Sequence, residues 1–347
     1  MEPIIECVPN ISEGRDNDII QKIINSVEQS SRCSILGVEP DRDYNRTVIT
    51  IAGNPTDVYH AAYQIIKASI ELIDMSCHEG EHPRLGAVDV CPFIPLSNYS
   101  MDECSNLARK LAKSVAEDFG VCTFLYGYAA TKPERKLLSS LRRGEYEGLQ
   151  ARLSDSDELH TEATKKPDFG PEEWTDSVKK TGGITIGSRD ILVAYNVNVD
   201  ETDATVAKKI GSIIRGSGRL IKNPSGNKLR VRGMLDEVQG MGVTLESHSI
   251  SQVSMNILDV NKCPIHKTYE ICKSIAKDHN TKLKGSELVG LVPLSAMIES
   301  GKWFSSETNA DEVTLVNSAI EGLGLSTLHE FNPNIRIIEW ALRGGSA

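Results

Sequence analysis

The chain has 347 residues, 39% of them hydrophobic and 25% charged, enough for one large domain or two moderate ones with a real core. A formal net charge of −10, with no basic run of nucleic-acid type, argues against binding a phosphate backbone. Eight scattered cysteines without a C-x-x-C pair fit reduced thiols rather than a disulfide framework or zinc site; the N-terminus "MEPIIECVPN" carries no secretory signature, and no apolar run reaches membrane-span length, so a cytoplasmic location and no membrane or nucleic-acid partner are expected.

In chain order, "IIECVPN" (4–10) reads as a short strand and "DNDIIQKIINSVEQSS" (16–31) as a helix, with Ile19, Ile20, Ile23, Ile24 and Val27 on one stripe. The strand ends in a polar cluster. Ser12 and Glu13 read as a turn and helix cap; Asn10 is open between that reading and a ligand contact at the mouth of the sheet. "CSILGVE" (33–39) and "RTVITIAG" (46–53) read as strands joined by "PDRDYN". Glu39 ends the first of these toward the same mouth, and Asn45 and Arg46 open the second. A lone arginine there is more often a surface charge. A helix over 55–75 with Val58, Ala62, Ile65, Ile66, Ile70 and Ile73 inward leads into "DMSCHEGEHPRLGAVDVCPFIP".

Within that stretch "HEGEH" (His78–His82) matches H-E-x-x-H, which holds zinc only when one helix carries both histidines. Gly80 weakens such a helix by roughly 1 kcal/mol, and Pro83 pushes His82 out of the α region. No downstream third ligand completes the pattern, so no metal is expected. His78 reads as a solvated loop residue with nothing pinning it. His82, followed by Arg84, suits proton transfer beside a carboxylate-binding fork. Asp89 either orients the imidazole or is a strand-edge residue satisfied by solvent.

The strand "AVDVCPFIP" completes a β-α-β-β-α-β unit, the ferredoxin-like plan. A helix opened by Ser100 and Glu103 as a capping box and ended by Gly120 follows. Then come the strand "VCTFLYG" and a basic helix from Pro133 to Arg143. The polar stretch 153–183 reads as the link between halves. The second half repeats the plan: a strand at 191–199, a helix at 201–216, a strand within 229–243, a strand at 251–260, a helix at 265–280, and a fourth strand "SELVGLVPLS" (286–295). "PFIPLS" and "GLVPLS" are expected to end equivalent strands, and "NTKLKGSEL" takes the place of the histidine loop. The expected architecture is α+β, two ferredoxin-like subdomains spanning 1–190 and 191–347. Residue chemistry alone points to an acid-base enzyme acting on a carboxylated substrate.

"ECVPNISEGR" (6–15), "NRTV" (45–48), "GEHPRLGAVDVCPFIP" (80–95), "RRGEYEGL" (142–149), "PDFGP" (167–171), "VGLVPL" (289–294) and "RIIEW" (336–340) closely resemble the formiminotransferase family. The resemblance implies two ferredoxin-like subdomains around a folate cleft, a homodimer, and formimino transfer between N-formimino-L-glutamate and tetrahydrofolate as co-substrate in histidine degradation. It puts the catalytic histidine on His82. Glu39, where relatives carry aspartate, is an assistant one methylene longer. Folate contacts are implied from Gly170 to about Gly182, which with its flanks takes in Asp168, Phe169, Pro171, Trp174 and Gly183. Arg46 and Arg84 become carboxylate partners, and Asn10 a substrate-binding residue. The chain's end after "RIIEWALRGGSA" implies no cyclodeaminase domain, and so a separate cyclodeaminase protein. Rival readings are a glutamate formyltransferase using 5-formyltetrahydrofolate, a folate-binding protein without turnover, and, remotely, a zinc hydrolase.

Overall fold

A computed structural model describes residues 2–42, 44–80, 83–154, 157–223, 225–245 and 248–344. The chain divides into two compact units, Met1–Asp190 and Ile191–Ala347.

In the first unit, β1 (Ile4–Cys7), β2 (Asn10–Ile11), α1 (Asn17–Glu28), β3 (Ser34–Asp41), β4 (Arg46–Gly53), α2 (Pro55–Leu72) and β5 (Val88–Ser97) follow the expected order. β1 and β2 are two pieces of one strand, both pairing with β4 and β5. The sheet runs β3, β4, β1/β2, β5 with every neighbouring pair antiparallel, which is the ferredoxin-like arrangement with the fourth strand beside the first. Local chemistry starts the helices. The Asp16 carboxylate accepts from the Asp18 and Ile19 amides, and Asn54 with Pro55 opens α2. α3 (Met101–Phe119) has the full Ser100–Glu103 capping box and ends at Gly120 in the left-handed region.

The apolar stripes of α1, α2 and α3 bury against alternate residues of the strands, Ile49 and Ile51 of β4 among them. Because side chains alternate across a strand, Arg46, Val48 and Thr50 point the other way and stay half-buried. The face of the sheet away from these helices is therefore the one that carries Asn10 and Arg46.

Two expectations for this unit fail. No basic helix spans Pro133–Arg143: a 3-10 turn covers Pro133–Arg135 and α4 only Leu138–Leu141, because buried Arg135 turns its guanidinium onto loop carbonyls instead of solvent. The polar stretch 153–183 is not a free link either. It follows α5 (Leu149–Arg152), contains α6 (Asp176–Thr181) and leads into β7 (Gly183–Ser188). β7 inserts between β5 and β6 (Cys122–Gly127), parallel to both. All six residues of β7 are buried, so it lacks the alternation by which a half-exposed strand is recognised.

The second unit contains β8 (Val193–Val199), α7 (Thr205–Ile214), β9 (Arg219–Lys222), β10 (Lys228–Val231), β11 (Val238–Leu245), β12 (Ile250–Ile257), α8 (Ile265–Asp278) and β13 (Leu283–Val289). Its sheet order, β11, β12, β8, β13, all antiparallel, repeats that of the first unit. Val193, Tyr195, Val197 and Val199 face α7 and α8 in the core. The strand expected within 229–243 is β11, whose Val238–Val243 part lies inside that span. Lys228–Val231 belongs to the exposed two-stranded ribbon β9–β10, and the sheet strand begins at Val238. The fourth strand ends earlier than expected, at Val289, where Gly290 takes φ 75. Pro293 then caps α9 (Leu294–Phe304), so "GLVPLS" opens a helix while "PFIPLS" lies inside β5; the echo does not mark equivalent positions. α10 (Glu312–Leu323), α11 (Pro333–Arg336) and α12 (Ile338–Leu342) close the unit. No helix among the described residues is long and apolar enough to cross a membrane.

Candidate functional site

The connection between α2 and β5 covers residues 73–87, whereas its counterpart in the second unit covers only 279–282. This extra chain holds the histidine motif. A 3-10 turn ends at Cys77 and His78 is extended (φ −81, ψ 128), so no helical face displays it as a zinc ligand. Glu81 and His82 lie outside the described residues.

His78 is not the unpinned loop residue expected. Its Nδ1 accepts from Arg84 Nε at 3.2 Å and its Nε2 lies 3.0 Å from the Asn45 carbonyl. A guanidinium N–H only donates, so the ring carries its proton on Nε2 and is neutral in this arrangement. Burial pushes its pKa below the ordinary histidine value, helped by the Arg84 cation and opposed by the Asn45 carbonyl. Asn45 is the junction of three segments. Its backbone is left-handed (φ 49), its Nδ2 donates to Glu79 O at 2.8 Å, and its Oδ1 accepts the Gly14 amide at 3.0 Å. Gly80 passes so close that a Cβ there would sit 2.4 Å from Tyr44 O.

Arg84 is buried, and its fork is already occupied. Nη1 and Nη2 donate to the two Glu147 oxygens at 2.9 and 2.6 Å, a bidentate pair. Its geometry therefore fits positioning of the loop better than capture of a substrate carboxylate. The imidazole that Asp89 was expected to orient, that of His82, lies outside the described residues, and Asp89 is not a strand-edge residue satisfied by solvent. At 1% exposure it accepts from Arg142 Nε at 3.1 Å and Nη2 at 2.5 Å, and from the Leu85 amide at 3.0 Å. Burial raises its pKa while Arg142 opposes the rise. With the Tyr146 amide on Arg84 O at 2.8 Å, the segment 142–147 folds over the loop and grips it twice.

Asn10 and Arg46 meet directly, Nη1 donating to Asn10 Oδ1 at 3.0 Å. Burial lowers the Arg46 pKa, with the Asp89 carboxylate favouring its charged form. Cross-strand register puts Asn10 and Glu39 opposite Val48 from either side, so Glu39 shares that face, exposed on edge strand β3.

The implied folate segment divides. The Asp168 carboxylate turns inward, accepting from the Leu125 amide at 2.7 Å, Thr131 Oγ1 at 2.8 Å, and Arg135. Phe169 and Pro171 give their carbonyls to the Thr123 amide and the Cys122 thiol. Gly170 is exposed with φ 91. Trp174 is half-buried, its ring 6.0 Å from that of Tyr146. Gly182 and Gly183 abut the histidine loop instead: the Gly183 amide donates to Leu85 O at 3.0 Å, and Gly86 bridges to Gly182. Two buried arginines hold the intervening chain by its carbonyls, Arg135 on Ala163 and Lys166, Arg152 on Thr164 and Lys165. Arg152 also lies over the Phe124 ring at 3.9 Å, and burial pulls its pKa down to about 9. Sequence reasoning missed Asn45, His78, Arg142 and Glu147 as parts of the site. The signal was the mixed charge of "RRGEYEGL", which matches the charges of the loop it covers.

A loop clamped by paired charges on a doubled ferredoxin-like scaffold defines a two-subdomain α+β protein. The family model "Formiminotransferase domain, N-terminal subdomain" matches residues 4–189 and "Formiminotransferase domain" matches 194–343, so the chain belongs to the formiminotransferase family. It is 37% identical to a glutamate formimidoyltransferase of Thermoplasma acidophilum, covering 92% of this chain and 97% of that one. A glutamate formimidoyltransferase of Streptococcus pyogenes serotype M1 is 35% identical over 88% of this chain and 94% of that one. A formimidoyltransferase-cyclodeaminase of Dictyostelium discoideum is 39% identical over 99% of this chain, which spans 61% of that relative's length.

Proposed function

We propose that the protein is a glutamate formimidoyltransferase, moving the formimino group between N-formimino-L-glutamate and tetrahydrofolate to give 5-formiminotetrahydrofolate and L-glutamate. The observation that carries this is its match to nearly the whole length of two relatives bearing that name. The first unit has surfaces that fit such a ligand: the Asn10–Arg46 pair for carboxylates and the Tyr146–Trp174 pair for a flat ring.

Tetrahydrofolate supplies the N5 amine that attacks the amidine carbon. The chain's part is to bind both partners and move one proton. His82 takes a proton as the new bond forms and delivers it to the departing glutamate amine, one residue acting as base and then acid. Arg84, through Glu147 and His78, holds the loop that presents His82. Arg46 and Asn10 meet a substrate carboxylate, Glu39 assists from the edge strand, and the segment Asp168–Pro171 with Trp174, Gly182 and Gly183 frames the folate. A cytoplasmic homodimer completes the reading. The rival formyl donor differs from the formimino donor by O for NH.

The test is turnover and binding in parallel. His82→Ala should slow glutamate release by about 10²–10⁴-fold while tetrahydrofolate affinity changes little, since the imidazole acts on the adduct more than on the ground state. Undiminished turnover in that variant would remove His82 from the mechanism.

A further inference from the structure

The polar face of the second unit's sheet is half-buried, with two buried amides at its centre, one of them incompletely bonded among the described residues. An antiparallel sheet commonly leaves one face to water. Here direct cross-strand pairs set Asn198 opposite Gln252, and Asn196 opposite both Ser254 and Glu287. With Asn256 two residues along, these six side chains share the face opposite Tyr195, Val197 and Val253 of the core. Asn198 is 0% exposed and Gln252 5%. Buried amides are normally fully partnered.

The bonding pattern fixes which atom of each amide is bonded and which is left over. Gln252 Nε2 donates to Glu287 Oε2 at 2.5 Å and to Asn198 Oδ1 at 2.7 Å. An ionised carboxylate only accepts, so the Gln252 nitrogen must be the atom turned to Glu287, and the Asn198 atom it also meets must be oxygen. Asn198 Nδ2 is left as a buried donor without a partner among the described residues. Glu287, half-buried, has no Lys or Arg ion-paired to it among the described residues. The face thus presents an oriented amide donor next to a carboxylate held by an amide rather than a cation.

We infer that this face binds the amino-acid donor, with Glu287 pairing the formimino group and Asn198 a carboxylate of the same molecule. The inference rests on the proposed function and sharpens its donor specificity. An N-alkyl formamidine is protonated at neutral pH, planar, and offers two N–H bonds, so it meets a carboxylate as a guanidinium does. A formyl group is neutral and its oxygen faces the Glu287 oxygens with no proton between them. One carboxylate therefore favours the formimino donor and repels its closest analogue. The competing account is that an ordered water satisfies Asn198 and the network only stiffens the sheet.

Equilibrium binding of N-formimino-L-glutamate and N-formyl-L-glutamate to the full chain, with tetrahydrofolate affinity as a folding control, separates these accounts. Glu287→Gln, which still accepts from Gln252, should weaken formimino binding by about tenfold to a hundredfold and strengthen formyl binding, because the carboxylate opposing the formyl oxygen is gone. Asn198→Ala should weaken both donors to the same extent, and it carries the test if the first variant fails to fold. Unchanged binding of both donors in the folded variants, or equal losses on both in Glu287→Gln, overturns the inference. If wild-type protein binds the formimino donor through Glu287 but transfers nothing to tetrahydrofolate, the transferase reading fails while the binding face stands.

Discussion

Arg142 and Asp89 carry the sharpest consequence of any pair of residues in the first unit. Arg142→Ala would strand a carboxylate that is 1% exposed, at a cost of about 3–5 kcal/mol. Removing the charge as well, in Arg142→Ala with Asp89→Asn, should lose less than the two single changes combined; urea denaturation of all three variants checks this. Arg84→Ala should be milder, about 1–3 kcal/mol from hydrogen bonds and packing, because its partner Glu147 is largely exposed and becomes hydrated. If it instead abolishes folate binding with no loss of stability, Arg84 touches the ligand after all. Neither pairing could be read from the sequence. Arg84 and Glu147 stand 63 positions apart, and Arg142 and Asp89 53, and nothing local ties an arginine to an acid at that distance. From the sequence Asn10 stays open and Arg46 reads as more often a surface charge; that the two bond to each other on the face the helices leave uncovered comes only from the structure.

Elements whose own chemistry marks their ends were the ones the sequence disclosed. α3 is bounded by a capping box and a left-handed glycine, and α1 and α2 by side-chain caps. The elements that escaped notice depend on partners far along the chain: α4 and α5 are four residues each, and β7 is buried on both faces. The β9–β10 ribbon is the weakest element by the same logic. Residues 215–235 hold six Arg or Lys and no Asp or Glu, and all but one of the eight strand residues are exposed. A two-stranded ribbon is marginal alone, and edge cations discourage further strand pairing. Its amides should exchange with deuterium by local opening, far faster than those of β8 and β12, whose strands pair on both sides. Equal protection in the two places would contradict this.

For the whole molecule, the doubled strand order was foreseeable from alternating strand and helix patterns, because each unit repeats the same periodicities around its own core. The histidine loop broke that symmetry, being much longer than its counterpart in the second unit. A global consequence follows from buried histidines. His78, His160 and His266 are all held below the ordinary value, with burial the largest cause in each. The unfolded chain then binds more protons than the folded one as pH falls below about 6.5, so their stabilising contribution is complete above that value and is lost beneath it. The urea midpoint should accordingly drop between about pH 7.5 and 5.5, and a flat or rising profile would show that these rings are not held neutral.

The most direct test of formimino transfer is glutamate release by the purified wild-type chain from N-formimino-L-glutamate and, separately, from N-formyl-L-glutamate, each with and without tetrahydrofolate. The account predicts release from the formimino donor that depends strictly on tetrahydrofolate and exceeds release from the formyl donor in kcat/KM. Release favouring the formyl donor, or no folate-dependent release from either, would contradict it.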